Sequence, residues 1–385
     1  MKTQTLKYLD RLVKLILVTL SRRSKSGVHI EPNLILVIKL SAMGDALCVM
    51  PAVRMIKNAF PSATVDWLTT NRANPEIFRN LGFLNKTIIL PITKFAAILF
   101  VLRSFWQFRR YDLIIDFDQY YQVSELLARC GKLSAGFDAP LKGRTFGIKA
   151  PYHPELNEKY QFRDLAEQVI NHWCAGHPPY DPSCREIIAN YDPPKELLDA
   201  LGSVKSKNLP LLVIYPGSSR SAKFRRWNWH NYLEVILHFQ GICEVIVAGS
   251  SDEEDISQLL EKENLKAHNW IGRWTLLDWA WIFAIEKPCL LGNDGGLLHV
   301  AGAVNLPVIG IFGPSKFSKW GSVHSDSVSL EVELDCRPCL QNYLGKVPQE
   351  CWKGTSECLS RISPTKVIEA INHMLGKVET RTYPW

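Results

Sequence analysis

The fold is constrained most by one stretch, Leu34 to Pro51, whose sequence is LILVIKLSAMGDALCVMP. It begins with a short apolar run, Leu34 to Ile38, that has neither helical nor alternating periodicity, as expected for a strand buried on both faces. A glycine-containing turn and a helical segment follow, which predicts the start of a βαβ unit. Ligands of such sheets bind at the carboxyl ends of strands, where Ser41, Gly44 and Asp45 stand.

Asp45 has two interpretations at this stage. As a helix N-cap or first-turn carboxylate it would stabilise the helix by about 0.5–2 kcal/mol. As a carboxylate beside a bound ligand it would take part in chemistry. The turn by itself leaves both open.

Strands and helices alternate along the rest of the chain, which implies parallel, doubly wound sheets. Predicted strands are 64–68, 87–90, 113–116, 211–215, 245–247, 289–291 and 308–311, and predicted helices include 95–108, 229–239, 276–285 and 297–304. The polar, proline-bearing segment from Asp181 to Pro210 predicts an interdomain linker. We therefore expect two Rossmann-like domains with a cleft between them, 31–195 and 209–365, followed by a C-terminal helix and tail over 366–385.

Positive charge is concentrated at the N-terminus. The formal charge of the chain is +7, and residues 1–30 hold seven Lys or Arg against one Asp. The nearly neutral remainder argues against a nucleic-acid-binding face. Leucine, isoleucine and valine recur at helical spacing among these cations, which predicts a basic amphipathic helix on an anionic membrane surface. A signal peptide, or a packed or disordered extension, is the alternative.

The apolar segment 95–108 contains Arg103 and is followed directly by Arg109 and Arg110. Its simplest interpretation is a helix packed on the sheet. The alternative is a second membrane-facing surface.

Two further motifs could suggest metal. Asp116-Phe117-Asp118 follows a strand, but carboxylates there are more often caps and turn formers. Ten cysteines in 385 residues do not predict a disulfide framework. Four of them fall as C-x2-C and C-x6-C in one loop, which is compatible with structural zinc or with an unmetallated loop whose thiols pack locally: Cys336, Cys339, Cys351 and Cys358.

Three turns in the second half have the composition of a phosphate or nucleotide site. Tyr215 to Lys223 offers hydroxyls at Ser218 and Ser219 and a cation at Lys223, which suits a diphosphate. Ala248 to Glu254 offers a carboxylate for ribose hydroxyls, with a capped helix start as the alternative. The third turn places two glycines at a helix N-terminus, a favourable place for phosphate, with a histidine one turn later: Asp294, Gly295, Gly296 and His299. No Walker loop or G-x-G-x-x-G fingerprint is present.

Together these motifs resemble a known family. The segments KLSAMGDALCVMPAVRMIKNAFPSATVDWL, YDLIIDFD and AGFD in the first half, and YPGSSRSAKFRRWNWHNY, VAGSSDEED and GNDGGLLHVAGAVNLPVIGIFGPS in the second, are similar to those of bacterial ADP-heptose:lipopolysaccharide heptosyltransferases, glycosyltransferase family nine. The resemblance implies the GT-B fold, two Rossmann-like domains with parallel sheets facing an interdomain cleft. It also covers the CRPC loop.

The resemblance assigns roles to individual residues. Asp45 matches the proposed catalytic base, with Ser41 and Gly44 on the acceptor side. The implied donor contacts are of four kinds. They are the diphosphate residues Ser218, Ser219 and Lys223, the ribose contact Glu253, Trp274 beside the nucleobase of the donor, and the nucleotide loop Asp294, Gly295, Gly296 and His299.

Two departures qualify this assignment. Asp294-Gly295-Gly296 stands where the family usually has Asp-Thr-Gly or Asp-Ser-Gly, so one hydroxyl is missing. Phe224-Arg225-Arg226 separates Lys223 from Trp227, so Arg225 or Arg226 is an alternative to Lys223 as the diphosphate cation. The donor need not be ADP-heptose itself.

The sequence therefore predicts an inverting, metal-independent glycosyltransferase that moves heptose or a related sugar from a nucleotide-activated donor to a lipopolysaccharide core or related glycan. Asp45 would take the proton of the acceptor hydroxyl. No cofactor is expected. The expected partners are the nucleotide-sugar donor, a lipid-linked acceptor and an anionic membrane, with no nucleic acid. The expected location is cytoplasmic, peripheral on the inner face of the inner membrane.

Two other classes of function compete with this one. A nucleotide-binding module that does no chemistry at the membrane surface would need the same donor loops. A nicotinamide-dependent oxidoreductase is disfavoured because no glycine fingerprint follows the first strand.

Overall fold

The computed structural model describes residues 30–380, except 92, 144, 174–175, 208, 219 and 264. The predicted N-terminal extension therefore lies outside the described residues, apart from Ile30. The chain divides into two compact units, Met1–Pro182 with Asn342–Lys346, and Ser183–Gln341 with Val347–Trp385. We refer to them as unit 1 and unit 2.

In the residues from 30 onward, unit 1 is built on a parallel sheet with four helices longer than one turn. Its strands are β1 (Leu34–Ile38), β2 (Thr64–Thr69), β3 (Lys86–Ile89), β4 (Leu113–Asp116), β5 (Leu133–Asp138) and β6 (Ile148–Pro151). Its helices are α1 (Met43–Ala59), α2 (Lys94–Gln107), α3 (Gln122–Ala128) and α4 (Glu158–His172). The strand order is β3-β2-β1-β4-β5-β6, and all neighbouring strands pair in parallel.

Unit 2 repeats this arrangement. Its strands are β7 (Leu211–Tyr215), β8 (Glu244–Gly249), β9 (His268–Ile271), β10 (Cys289–Asn293), β11 (Ile309–Ile311) and β12 (Val328–Leu330). Its helices are α5 (Lys195–Val204), α6 (Trp229–Phe239), α7 (Glu254–Lys262), α8 (Leu276–Ile285), α9 (Gly296–Ala303), α10 (Phe317–Trp320), α11 (Glu357–Ser360) and α12 (Pro364–Thr380). The strand order is β12-β11-β10-β7-β8-β9.

In each sheet the second and third strands extend to one side of the first strand and the fourth strand lies on its other side, so the strand order reverses there; this is the topological switch point of a doubly wound fold. In unit 1 this point lies between β1 and β4, and in unit 2 between β7 and β10. The predicted residues Ser218 and Asp294 lie in the loops that follow β7 and β10, and Asp45 lies in the first turn of the helix that follows β1. The fold therefore places them where such sheets bind ligands.

The apolar run that predicted β1 is buried in the centre of the sheet. Leu36 and Ile38 pack with Val101 of α2 and Leu126 of α3 on one face, and α1 packs against α4. Full burial of each such side chain contributes about 1.5–3 kcal/mol. The predicted helix 95–108 is confirmed as α2.

The division between the two units falls between Pro182 and Ser183, inside the segment predicted as an interdomain linker. Residues 183–195 group with unit 2 rather than with the N-terminal domain, because the Cys184 N–H donates to the Ala303 carbonyl at 2.6 Å. The segment predicted as a linker also contains helix α5, whose Leu197 and Leu201 side chains are buried. Strands β5, β6, β9 and β12 were not predicted.

Candidate functional site

Asp45 lies in the first turn of α1, directly after the turn that follows β1. Its Oδ2 accepts a hydrogen bond from the Ala42 N–H at 2.7 Å, which is the geometry of a helix cap. Its Oδ1 is buried and accepts no hydrogen bond from the part of the chain that the structure describes. The cap interpretation is thus confirmed for one oxygen, and the ligand interpretation of the other stays a prediction.

A buried lysine lies beneath this carboxylate. Lys39, the residue after β1, is fully buried, and its Nζ lies 4.0 Å from Asp45 Oδ1 and 3.4 Å from Asp118 Oδ1. The ammonium also donates to Gln119 Oε1 at 2.7 Å. Burial alone would lower the pKa of Lys39, but the carboxylates of Asp45, Asp118 and Glu158 together raise it above its usual value. Lys39 is therefore a cation held inside the fold.

The environment changes the proton affinity of Asp45 in the direction that a general base requires. Burial raises the pKa of Asp45 to about 6, against the lowering influence of Lys39 and of the Ala42 N–H. The side chain is 13% exposed. At pH 7 the carboxylate is mostly ionised, and it is a stronger base than an ordinary aspartate.

The carboxylates of the D-x-D motif are caps and ion-pair partners. Asp116 Oδ1 accepts from the Asp118 N–H at 3.0 Å, and Asp116 Oδ2 lies 2.5 Å from Lys142 Nζ. Asp118 Oδ2 accepts from the Leu40 N–H at 3.0 Å. This is the capping role favoured from the sequence.

Further residues surround the same turn. The hydroxyl oxygens of Ser41 and Tyr121 share a buried hydrogen bond at 3.2 Å, and Gly44 is half-buried in the first turn of α1. Gln119 Nε2 donates to Glu158 Oε2 at 2.9 Å. The sequence did not identify Gln119, Glu158 or Lys39. Lys39 and Gln119 lie in the segments that follow strands β1 and β4, and Glu158 is the first residue of α4.

In unit 2 the loop after β7 is folded back on itself. Ser218 Oγ donates to the Ala222 carbonyl at 3.0 Å and accepts from Arg226 Nε at 3.2 Å. Ser218 is buried, so its hydroxyl holds the loop together in this structure. Ser219 lies outside the described residues.

Of the cations in segment 223–226, two share one acidic partner and the third has another. Lys223 Nζ and Arg226 Nη1 both lie 2.8 Å from Asp255 Oδ2, at the start of α7. Arg225 Nη1 lies 3.5 Å from Asp294 Oδ2, and its Nε is buried without a hydrogen-bond partner among the described residues. Of the three, Arg225 is therefore the cation beside the predicted nucleotide loop.

Glu253 and Trp274 lie near the ends of β8 and β9. Glu253 Oε2 accepts from the Ser250 N–H and hydroxyl, both at 2.7 Å, in a capping box. The capped helix start weighed from the sequence is thus present. Trp274 is half-buried with its ring edge-on to Trp270, and its Nε1 is buried without a partner among the described residues.

The end of β10 ties the two loops of unit 2 together. The Asn293 Oδ1 accepts from the Trp227 N–H at 3.0 Å, and Asn293 Nδ2 donates to the Pro216 carbonyl at 2.7 Å. The sequence did not identify this buried asparagine. The neighbouring Asp294 Oδ2 accepts from the Ser315 hydroxyl at 2.5 Å, so both residues fix the loop that precedes α9.

Two glycines bring backbone amides to the start of α9. Gly295 is the N-cap and Gly296 the first helical residue. A Cβ at Gly295 would come within 2.7 Å of the Tyr215 ring, so close packing against β7 requires glycine there. The free N–H groups of a helix start favour a phosphate. His299 is half-buried in the same helix.

The four cysteines of the later loop line one small pocket. In the described chain no three His, Cys, Asp or Glu side chains form a group that could hold a metal ion, and structural zinc stays a prediction. Cys351 Sγ donates to the Thr355 carbonyl at 3.1 Å, and Cys358 packs in the core of unit 2. Cys336 and Cys339 complete the lining of the pocket, so the four thiols lie around one space.

Comparison with known proteins points in one direction. The family model described as glycosyltransferase family 9 (heptosyltransferase) matches residues 109–346. Lipooligosaccharide heptosyltransferase 2 of Campylobacter jejuni is 26% identical over 170 residues, 43% of this chain and 51% of that protein. The chain thus spans about half the length of that relative. Lipopolysaccharide heptosyltransferase 1 of Pseudomonas aeruginosa is 24% identical over 372 residues, 90% of this chain and 99% of that protein.

Among solved structures, that of E. coli ADP-heptose LPS heptosyltransferase II has a TM-score of 0.66 and 19% identity, covering 90% of this chain and 99% of that chain. At this identity the likeness shows the fold. The fold is GT-B, with two parallel-sheet α/β domains, as the sequence predicted.

Proposed function

This chain belongs to glycosyltransferase family 9, the heptosyltransferases, and from that premise we propose that it transfers a sugar, most simply heptose, from a nucleotide-activated donor to a lipopolysaccharide core or related glycan. The observation that carries the proposal is Asp45, a largely buried carboxylate just after β1, whose Oδ1 accepts no hydrogen bond from the described residues and lies 4.0 Å from Lys39 Nζ, and whose pKa is raised to about 6. Relatives of this chain bear the names of enzymes that act on such acceptors.

The proposed reaction is a single displacement with inversion at the anomeric carbon. The acceptor oxygen forms the new bond to that carbon as its proton passes to Asp45 Oδ1, and the bond from the carbon to the diphosphate oxygen breaks. Arg225 and the amides of Gly295 and Gly296 stabilise the negative charge that grows on the departing diphosphate. Because these groups neutralise that charge, we propose that the reaction needs no metal.

The donor is proposed to bind in unit 2. Glu253 would accept from ribose hydroxyls and Trp274 would lie beside the base, while His299 faces the phosphates from α9. Ser218, Lys223 and Arg226 would support the diphosphate loop, and Ser219 and Arg225 would contact the diphosphate. An ADP-linked heptose is the proposed donor, by analogy with the E. coli protein of that name.

A screen of nucleotide-sugars by thermal shift tests this proposal. A ligand at a hundred times its Kd raises the free energy of unfolding by about 2.7 kcal/mol. We expect ADP-heptose to stabilise the protein and UDP-sugars to have little effect. If no nucleotide-sugar stabilises the protein, the donor site proposed in unit 2 is wrong.

A second prediction distinguishes Arg225 from Lys223 as the cation that binds the diphosphate. Arg225→Ala should weaken donor binding by about 1.5–3 kcal/mol, the value of a hydrogen bond to a charged group, because Arg225 faces Asp294 and has an unpartnered Nε. Lys223→Ala is the matched control, since Lys223 is more exposed and paired with Asp255. Titration calorimetry with ADP measures both. Equal losses would contradict the assignment of Arg225.

The proposed location is the cytoplasmic face of the inner membrane, with residues 1–30 as a peripheral anchor. Within the residues that the structure describes, no helix has the length and apolarity to cross a membrane. Each basic residue near an anionic surface contributes about 1 kcal/mol, and salt screens this contribution.

Deletion of residues 1–30 tests the anchor. We expect the truncated protein to move from the membrane pellet to the supernatant on fractionation, while transfer to a short water-soluble acceptor continues. High salt should reproduce part of this shift in the intact chain. Equal sedimentation of both proteins would show that residues 1–30 are not the anchor.

A further inference from the structure

Helix α2 presents an apolar face to solvent. Its inward face is buried through Ala97, Val101 and Ser104. On the opposite side four large apolar residues form one stripe at helical spacing and are all exposed: Phe95, Leu99, Leu102 and Trp106. A surface helix normally has polar residues on this side. A stripe of this size on a folded protein indicates an interaction surface.

The charge around this stripe is of one sign. Residues 77–111 contain six Lys or Arg and no Asp or Glu. Arg103, Arg109 and Arg110 are exposed, and the Arg109 guanidinium lies 4.7 Å from the centre of the Trp106 ring. A surface that is apolar in the middle and cationic at its edges is complementary to anionic lipid headgroups above acyl chains.

The side chains themselves are suited to such an interface. Tryptophan is enriched at the boundary between headgroups and acyl chains. Arginine can keep its charge among the headgroups while its aliphatic part covers apolar surface. Within α2 the exposed aromatic residues stand at the two ends, Phe95 and Trp106, so the helix would lie flat on the bilayer.

We propose that the exposed face of α2 is a membrane-docking surface for an anionic bilayer, separate from the N-terminal extension. The proposal rests on the proposed function for the presence of a bilayer, because a lipid-linked acceptor brings the protein to one. It places a lipid contact in unit 1, the unit that contains Asp45. A second copy of this chain is the competing occupant of the face.

Binding of the full-length protein to vesicles tests the proposal. The probe is phosphatidylglycerol mixed with phosphatidylethanolamine, compared with phosphatidylcholine alone. The double variant Leu102→Ser/Trp106→Ser should bind the anionic vesicles at least about ten-fold more weakly, and Arg103→Gln about five-fold more weakly at low salt. All these side chains are exposed, so melting curves should be unchanged.

The chain offers a matched control. Trp352 in unit 2 is 73% exposed, against 74% for Trp106, and its ring also faces a cation, Lys353. Trp352→Ser should leave vesicle binding unchanged. Loss of binding in this variant equal to that of the double variant would overturn the proposal.

Photolabelling locates the contact. Vesicles with a photoreactive acyl chain should label peptides from 94–107 in the intact protein, and labelling confined to residues 1–30 would overturn the proposal. If light scattering shows a dimer that Leu102→Ser/Trp106→Ser converts to a monomer with vesicle binding unchanged, the face belongs to a second copy. Transfer to a water-soluble acceptor should persist in the double variant. Absence of transfer in the wild type would count against the proposed function and not against the docking surface.

Discussion

Asp45→Asn is expected to lower the rate of sugar transfer by ~10²–10⁴-fold, the usual contribution of a general base. Asparagine keeps the shape of the side chain and can still accept the Ala42 N–H, but it cannot take a proton. The affinity for the nucleotide should stay within a few-fold of wild type, because the donor loops belong to unit 2. Single-turnover transfer and calorimetric titration with ADP measure the two quantities.

The pH dependence of the wild type belongs to the same prediction. Since the pKa of Asp45 is raised to about 6, its basic form is lost as the pH falls through that value. The transfer rate should therefore be constant above about pH 7 and fall about ten-fold per unit below pH 5. In Asp45→Asn this acid limb should be absent from the residual rate.

Asp112→Asn is a suitable control for a capping role. Asp112 Oδ2 accepts from the Asn33 and Leu34 N–H groups, both at 3.0 Å, at the opposite end of β1. Its replacement should lower the melting temperature without a specific loss of rate, because it removes the carboxylate that pairs with Lys132 Nζ at 2.7 Å. If Asp45→Asn behaves in the same way, Asp45 is only a cap, and a nucleotide-binding module without chemistry becomes the better description.

Most central strands could be predicted from the sequence, whereas β5 and three of the four edge strands could not. β1 and β7 are buried on both faces, so their apolar runs are unbroken. β5 reads LSAGFD and β9 reads HNWI, with small or polar residues inside the strand. β6 and β12 are short strands at the edges of their sheets, where only one neighbour pairs with them. Their patterns are too short and too polar for periodicity to reveal.

The candidate site divides in the same way. Asp45 and the glycines before α9 stand in motifs with a local physical meaning, and both were identified. Lys39 was missed because a lysine after a strand normally reaches solvent, and its partners Asp118 and Gln119 lie about 80 residues away in the sequence. The choice of Arg225 over Lys223 also depended on tertiary contacts, since only the folded chain shows that Lys223 forms an ion pair with Asp255.

Lys39→Met is expected to lower the free energy of unfolding by about 3–5 kcal/mol, because it removes one partner of a buried ion pair and leaves the other uncompensated. Asp118 is fully buried and lies 3.4 Å from the lost ammonium, and Gln119 Oε1 loses its donor. Methionine has a similar length, so the loss reflects charge rather than a cavity. Chemical denaturation of the intact protein measures it.

A double variant separates this effect from simple misfolding. Lys39→Met/Asp118→Asn removes both charges, and the amide oxygen of asparagine can still accept the Leu40 N–H, so much of the lost stability should return. Lys39 lowers the pKa of Asp45 by more than Asp118 raises it. The acid limb of the pH–rate profile should therefore move to higher pH in the double variant. An unshifted limb with restored stability would mean that Lys39 stabilises unit 1 but does not set the basicity of Asp45.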